Sequence, residues 1–117
     1  ITLTTAKEHD EIIAYTSQLA HVVSSAYVKS PTSVRNLGFS AGSFKDMTRV
    51  AFLNEPMWTE LFFQNKEFLL NEVDIFIENM KQYREALANL DRDKMMSLLA
   101  EGKKQRVAAW TAVSQKK

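Results

Sequence analysis

Lys66-Glu67-Phe68-Leu69-Leu70-Asn71-Glu72-Val73-Asp74-Ile75-Phe76-Ile77-Glu78-Asn79-Met80-Lys81-Gln82-Tyr83-Arg84-Glu85-Ala86-Leu87-Ala88-Asn89 is the most regular run in the chain, and it decides the fold class. Leu69, Val73, Phe76, Met80, Tyr83, Leu87 and Leu90 recur at alternating intervals of four and three. That spacing lines one face of an α-helix as a sustained heptad seam; a half-buried strand would alternate at every second residue. Phe68, Leu70, Ile75 and Ile77 widen the apolar arc, so the helix packs on more than one side. A bundle contact within the chain and an interface between subunits both satisfy such a seam.

The same punctuation continues outward. Upstream, Thr5-Ala6-Lys7-Glu8 is a capping box, in which the Thr5 hydroxyl accepts the Glu8 N–H and starts a helix at Ala6. Ser30-Pro31 ends it near Lys29, because proline disfavours helical geometry in the residue before it. One stripe of this helix is apolar: Ile12, Tyr15, Leu19, Val22, Val23 and Ala26. Its neighbour is small or hydrogen-bonding: Asp10, Ala14, Ser17, His21, Ser24 and Val28. The second stripe suits either close helix packing or the wall of a polar pocket.

Thr32 to Gly38 reads as a loop, and Ser43-Phe44-Lys45-Asp46 as a second capping box with a short helix after Ser43. Asp46 and Arg49 are spaced to pair along its surface. Asn54-Glu55-Pro56 caps a third helix, with proline in its first turn, and Gln64-Asn65 interrupts the path to the Lys66–Asn89 helix. Asp91 caps a fifth helix to about Trp110, weakened by Gly102, before the solvated end Ser114-Gln115-Lys116-Lys117. The expectation is an all-α domain of about five helices over residues 5–117. Ile1 to Thr4 alternate like a strand and begin without Met, as the remnant of a preceding strand or interdomain linker.

Composition removes several classes of function. At 117 residues the chain is one domain, and its formal net charge of +1 gives no reason to expect nucleic acid or an acidic membrane as partner. With no cysteine, thiolate catalysis, disulfides and Cys-built zinc sites are excluded, which fits a cytoplasmic protein. No apolar run reaches the roughly 20 residues of a membrane span. Three glycines, Gly38, Gly42 and Gly102, cannot assemble a dinucleotide-binding loop, so the chain itself holds no such cofactor. His9 and His21 are the only histidines, twelve residues apart, and give little support to a metal site.

The stretch from Phe39 to Trp58 carries the remaining chemistry. A helical His such as His21, taken alone, is more often structural than catalytic, and Lys45, Asp46 and Arg49 alone describe a solvated face. They gain weight from the helix start after Gly42, whose free N–H groups favour an anion. Arg presents a planar fork to a carboxylate, and Lys a mobile point charge. Together they describe a site for a dicarboxylate or phosphate. No nucleophile–base pattern accompanies them.

Glu8-His9-Asp10, Ser17-Gln18-Leu19-Ala20-His21, Gly42-Ser43-Phe44-Lys45-Asp46-Met47-Thr48-Arg49 and Pro56-Met57-Trp58 follow one another in an order that resembles the carboxy-terminal helical domain of prephenate dehydrogenases, from about Thr5 to Arg106. The resemblance implies a bundle-like dimerisation domain of the 6-phosphogluconate-dehydrogenase-C-terminal-like type. It implies a parent that oxidatively decarboxylates prephenate to 4-hydroxyphenylpyruvate with NAD, in tyrosine biosynthesis. An amino-terminal Rossmann domain, absent here, binds the cofactor and carries the proton-abstracting histidine, so this chain holds no catalytic residue and is inactive alone. By the same analogy Arg49 holds the ring carboxylate, Lys45 assists, and His21 and Ser17 hydrogen-bond the substrate. Gly42 and Trp58 line the site, from this subunit or its homodimer partner, and Asp46 orients Arg49 or joins a gating ion pair. Tyrosine enters as a feedback inhibitor that no residue of the sequence assigns. Many relatives read Ser-His-Leu-Pro-His where this chain has Ser17-Gln18-Leu19-Ala20-His21, and three glycines where it has Ala41-Gly42-Ser43. Two other readings stand beside it: a free-standing helical interaction module, and the helical domain of an arogenate or other hydroxyacid-type dehydrogenase.

Overall fold

The computed structural model describes residues 5–35 and 41–115, and all its regular structure there is helical. In order these are α1 (Ala6–Ile13), a π-helical segment (Ala14–Leu19), α2 (Ala20–Val28), a 3₁₀ turn (Pro31–Arg35), α3 (Ala41–Thr48), a second 3₁₀ turn (Arg49–Ala51), α4 (Glu55–Gln64), α5 (Lys66–Ala88) and α6 (Arg92–Gln115). The expected all-α class holds. The first three segments run on without a break, so the five expected helices are all present. Ile1 to Thr4, read as a strand remnant, lie outside the described residues.

Two compact units divide the chain, one over Thr4–Val73 and one chiefly over Asp74–Lys117. In the first, the Thr5 hydroxyl accepts the Glu8 N–H at 3.0 Å, as the capping box requires. Asn54 caps α4 in the same way, its Oδ1 taking the Met57 N–H at 3.0 Å with Pro56 in the first turn. Asn65, with φ −114 and ψ 32, ends α4, and α5 restarts at Lys66. The core of this unit is Ala14, Leu19 and Leu69, with Val23, Phe62, Phe68 and Val73 packed against it. Burying a Leu side chain contributes about 2 kcal/mol, so Leu19 and Leu69 are its main apolar anchors.

The first helix departs from the expected face. Ala14 and Ser24, from the small-polar stripe, are fully buried, whereas Ile12 and Tyr15, from the apolar stripe, are exposed. Two causes combine. Small side chains let neighbouring helices approach closely, and the wide π turn between α1 and α2 shifts the helical phase partway along. A single 3.6-residue period drawn across the whole helix misassigns its first half.

A second departure concerns α3, which starts at Ala41 rather than after Ser43. Ser43 lies in the first turn, where N–H groups need no intrahelical partner and Gly42 is therefore tolerated. Residues 36–40, ahead of α3, lie outside the described residues.

In the second unit, Asn89 to Asp91 turn the chain from α5 into α6. The Asp91 N–H reaches the Ala86 carbonyl at 2.8 Å and the Leu90 N–H reaches Leu87 at 3.2 Å, the paired bonds of a Schellman C-cap. Leu90 holds the left-handed position, φ 50. The heptad seam therefore leaves helical geometry before Leu90. Asp91 then caps α6 through the Lys94 N–H at 3.0 Å. Ala86 and Leu98 are buried, and the Tyr83 hydroxyl donates to the Leu98 carbonyl at 3.3 Å. Gly102 does not interrupt α6, which continues past Trp110 to Gln115. Near that end the Arg106 guanidinium lies 4.0 Å from the Trp110 ring centre.

The α5 seam behaves differently along its length. Leu69 is 7% exposed and buried in the first unit, whereas Met80 and Leu87 face solvent. Among the described residues no helix is long and apolar enough to cross a membrane.

Candidate functional site

Residues proposed from the sequence converge within the first unit, around α2. His21 lies on its first turn, half-buried. Its Nδ1 is 2.7 Å from the Ser17 carbonyl oxygen. A carbonyl can only accept, so Nδ1 carries the hydrogen, and in the neutral ring Nε2 keeps a free lone pair. That atom can accept a hydrogen bond from a ligand hydroxyl.

Trp58, on the first turn of α4, covers the imidazole. The two ring centres are 4.0 Å apart and 25° from parallel, a stacked arrangement. Phe62, one turn further along α4, lies 5.7 Å from the indole at 50°, a tilted contact. Trp58 thus meets His21 of its own chain, with no second subunit required.

The cationic half comes from α3 and the 3₁₀ turn after it, both of which pack against α2. Lys45 and Arg49 are exposed, and neither makes an ion pair with a described residue. Asp46 and Arg49 do not pair with each other. Their i,i+3 spacing would suit a continuous α-helix, but α3 ends at Thr48 and Arg49 opens the tighter turn. The Thr48 hydroxyl bonds back to the Phe44 carbonyl at 2.8 Å at that junction. Gly42 is exposed, and a Cβ built there would meet nothing within 4 Å. Ser17 is half-buried on the π segment and contributes its carbonyl to His21. Of the predicted residues, then, His21, Ser17 and Trp58 form one contact cluster. Lys45, Arg49, Asp46 and Gly42 lie on the segments packed against the helix that carries it.

Sequence reasoning missed the polar tie behind this cluster. Gln18 is only 6% exposed. Its Oε1 accepts from Asn65 Nδ2 at 2.9 Å, and its Nε2 donates to the Leu61 carbonyl at 3.4 Å. The second Asn65 amide hydrogen goes to the Asp10 carbonyl at 2.9 Å. Asn65 read as a helix breaker and Gln18 as a departure from a motif. The available signal was a pair of amides, each at an otherwise apolar packing position. Ser24, also buried, has a hydroxyl with no hydrogen-bond partner. Among the described residues no three His, Cys, Asp or Glu side chains gather as a metal site.

What the structure defines is an all-helical domain with an imidazole–indole stack on α2 and α4 and two exposed cationic side chains on the segments packed against α2, and its fold is that of solved dehydrogenase structures. It superimposes on Synechocystis arogenate dehydrogenase with TM-score 0.80 and 22% identity, covering 93% of this chain and 42% of that one. Against prephenate dehydrogenase from A. aeolicus, solved with hydroxyphenyl propionate and NAD+, the TM-score is 0.73 at 25% identity, covering 91% and 39%.

Sequence comparison narrows the class. The family model for the prephenate dehydrogenase dimerization domain matches residues 5–101. The cyclohexadienyl dehydrogenase of Zymomonas mobilis is 35% identical over 119 residues, covering 95% of this chain and 40% of the relative. Prephenate dehydrogenase of Lactococcus lactis is 30% identical over 110 residues, covering 88% and 30%. The chain belongs to the prephenate dehydrogenase dimerization-domain family, and it spans less than half the length of these relatives.

Proposed function

We propose that this chain is the helical part of an NAD-dependent prephenate dehydrogenase, pairing two subunits and completing the prephenate site. The observation that carries the reading is the His21–Trp58 stack, set on a helix packed against the turn that bears Arg49. Prephenate is a ring with a hydroxyl at one end and carboxylates at the other, which matches a flat wall, a lone-pair acceptor and a cation. In this reading Arg49 holds the ring carboxylate and Lys45 adds positive field, each exposed and without a described ion-pair partner. His21 Nε2 and Ser17 meet the substrate's polar groups, Trp58 and Gly42 bound the ring, and Asp46 supports the cationic turn. When bound by the preceding domain, NAD supplies hydride acceptance; no residue here contacts the departing hydride. The chain's own contribution is to fix the ring so that, once hydride has left, loss of carbon dioxide restores aromaticity. Alone, it turns over nothing.

Arg49→Ala in the full-length dehydrogenase tests this. Losing a charge-assisted hydrogen-bond pair raises the KM for prephenate about tenfold to a hundredfold. The KM for NAD stays as in the parent. Unchanged prephenate kinetics would refute the assignment.

A further inference from the structure

We infer that Gln18 and Asn65 form a positioning clamp that sets His21 against Trp58, a role that rests on the site reading above. Asn65 stands at the junction of α4 and α5, and Gln18 on the π segment immediately ahead of α2. The two amides join side chains 47 positions apart in sequence at 2.9 Å. Gln18 extends the tie to the Leu61 carbonyl on α4, and Asn65 extends it to the Asp10 carbonyl on α1.

The geometry says why a tie is needed at this point. A π turn takes more residues than an α turn, so its length sets the direction in which everything after it points. Ser17 and His21 lie within and just after this segment, and Trp58 lies on the helix that Gln18 grips. Both walls of the stack are therefore referred to one pair of amides. Gln18, being buried, has no water to replace a lost partner, so the pair has one satisfied arrangement. The hydrogen bonds of the two amides go to each other and to backbone carbonyls, not to the rings. Each acts through the backbone that carries them.

Two readouts test the clamp. The first is proton NMR of the chain, in which the indole ring current moves the His21 ring-proton resonances upfield; Trp58→Leu sets the zero. Asn65→Asp keeps the shape of the side chain and deletes both donors, and should reduce the upfield displacement by about half as the stack loosens. Asp91→Ala weakens the α6 cap instead and should leave the displacement as it was. If Asn65→Asp does not fold, Gln18→Met provides the same reading, since it preserves length and removes both polar atoms.

The second readout is kinetic, in the full-length dehydrogenase. Asn65→Asp should raise the KM for prephenate about tenfold, as expected for a wall displaced by a fraction of an ångström, with kcat changed by less than about twofold. An unchanged ring shift or an equal shift in Asp91→Ala would overturn the clamp, whereas a lost stack with unaltered KM would uphold it and overturn the placing of the stack in the prephenate site. If the wild-type enzyme fails to turn over prephenate, the proposed function falls, while the NMR comparison still decides whether the amides hold the stack.

Discussion

Leu90 adopts a backbone conformation that L-residues avoid, φ 50, at the position where helices usually place glycine. Its side chain is 86% exposed, so within the chain little burial offsets the strain. Leu90→Gly should therefore stabilise the hairpin by about 0.5–1 kcal/mol, the left-handed penalty less the extra freedom of glycine when unfolded. A higher urea midpoint with unchanged slope is the expected result; a lower midpoint would mean the Leu90 side chain is used elsewhere. The caps at Thr5, Asn54 and Asp91 were legible in the sequence because a cap is a contact between residues three apart. His21 and Trp58 were legible as residues but not as a pair, because a stack across 37 positions leaves no local mark.

At the scale of elements, α6 keeps helical geometry through Gly102 because its neighbours on both sides favour helix. A Cβ at that position would lie 3.8 Å from the Tyr83 hydroxyl, an ordinary contact. Gly102→Ala should raise stability by about 0.5–1 kcal/mol, read as a higher melting temperature, and a loss would place the glycine at a tighter contact than this. Helix starts from α4 onward followed from the Asn54, Pro56 and Asp91 signals and the Gln64-Asn65 break, whereas α6 runs past its expected end near Trp110 to Gln115. The π segment was not legible. Its six residues, Ala14 to Leu19, contain no glycine or proline, and the groups that hold it come from Leu61 and Asn65, 43 and 47 positions from Gln18 in sequence. Phase errors in the first helix follow from that one hidden turn. The start of α3 was misplaced for a simpler reason: a serine three residues before an acid reads as a cap whether or not the helix has already begun.

At the scale of the whole chain, no large side chain among the described residues is fully buried, and apolar residues of α5 and α6 stand exposed, Met80, Leu87, Met96, Leu99, Val107 and Trp110 among them. We propose these as the surfaces that a second copy covers in the homodimer. Leu87→Glu with Met96→Glu would put unpaired charge into that contact, and sedimentation at micromolar concentration should show a monomer in place of a dimer. A dimer that survives both changes would move the contact elsewhere. In the proposed homodimer, melting temperatures and urea midpoints compare between variants only at one fixed concentration of the chain. Its folded fraction belongs to a concentration, because association favours the folded form by mass action. Dilution then acts as a denaturant, and the unpaired copy is the one most open to a protease.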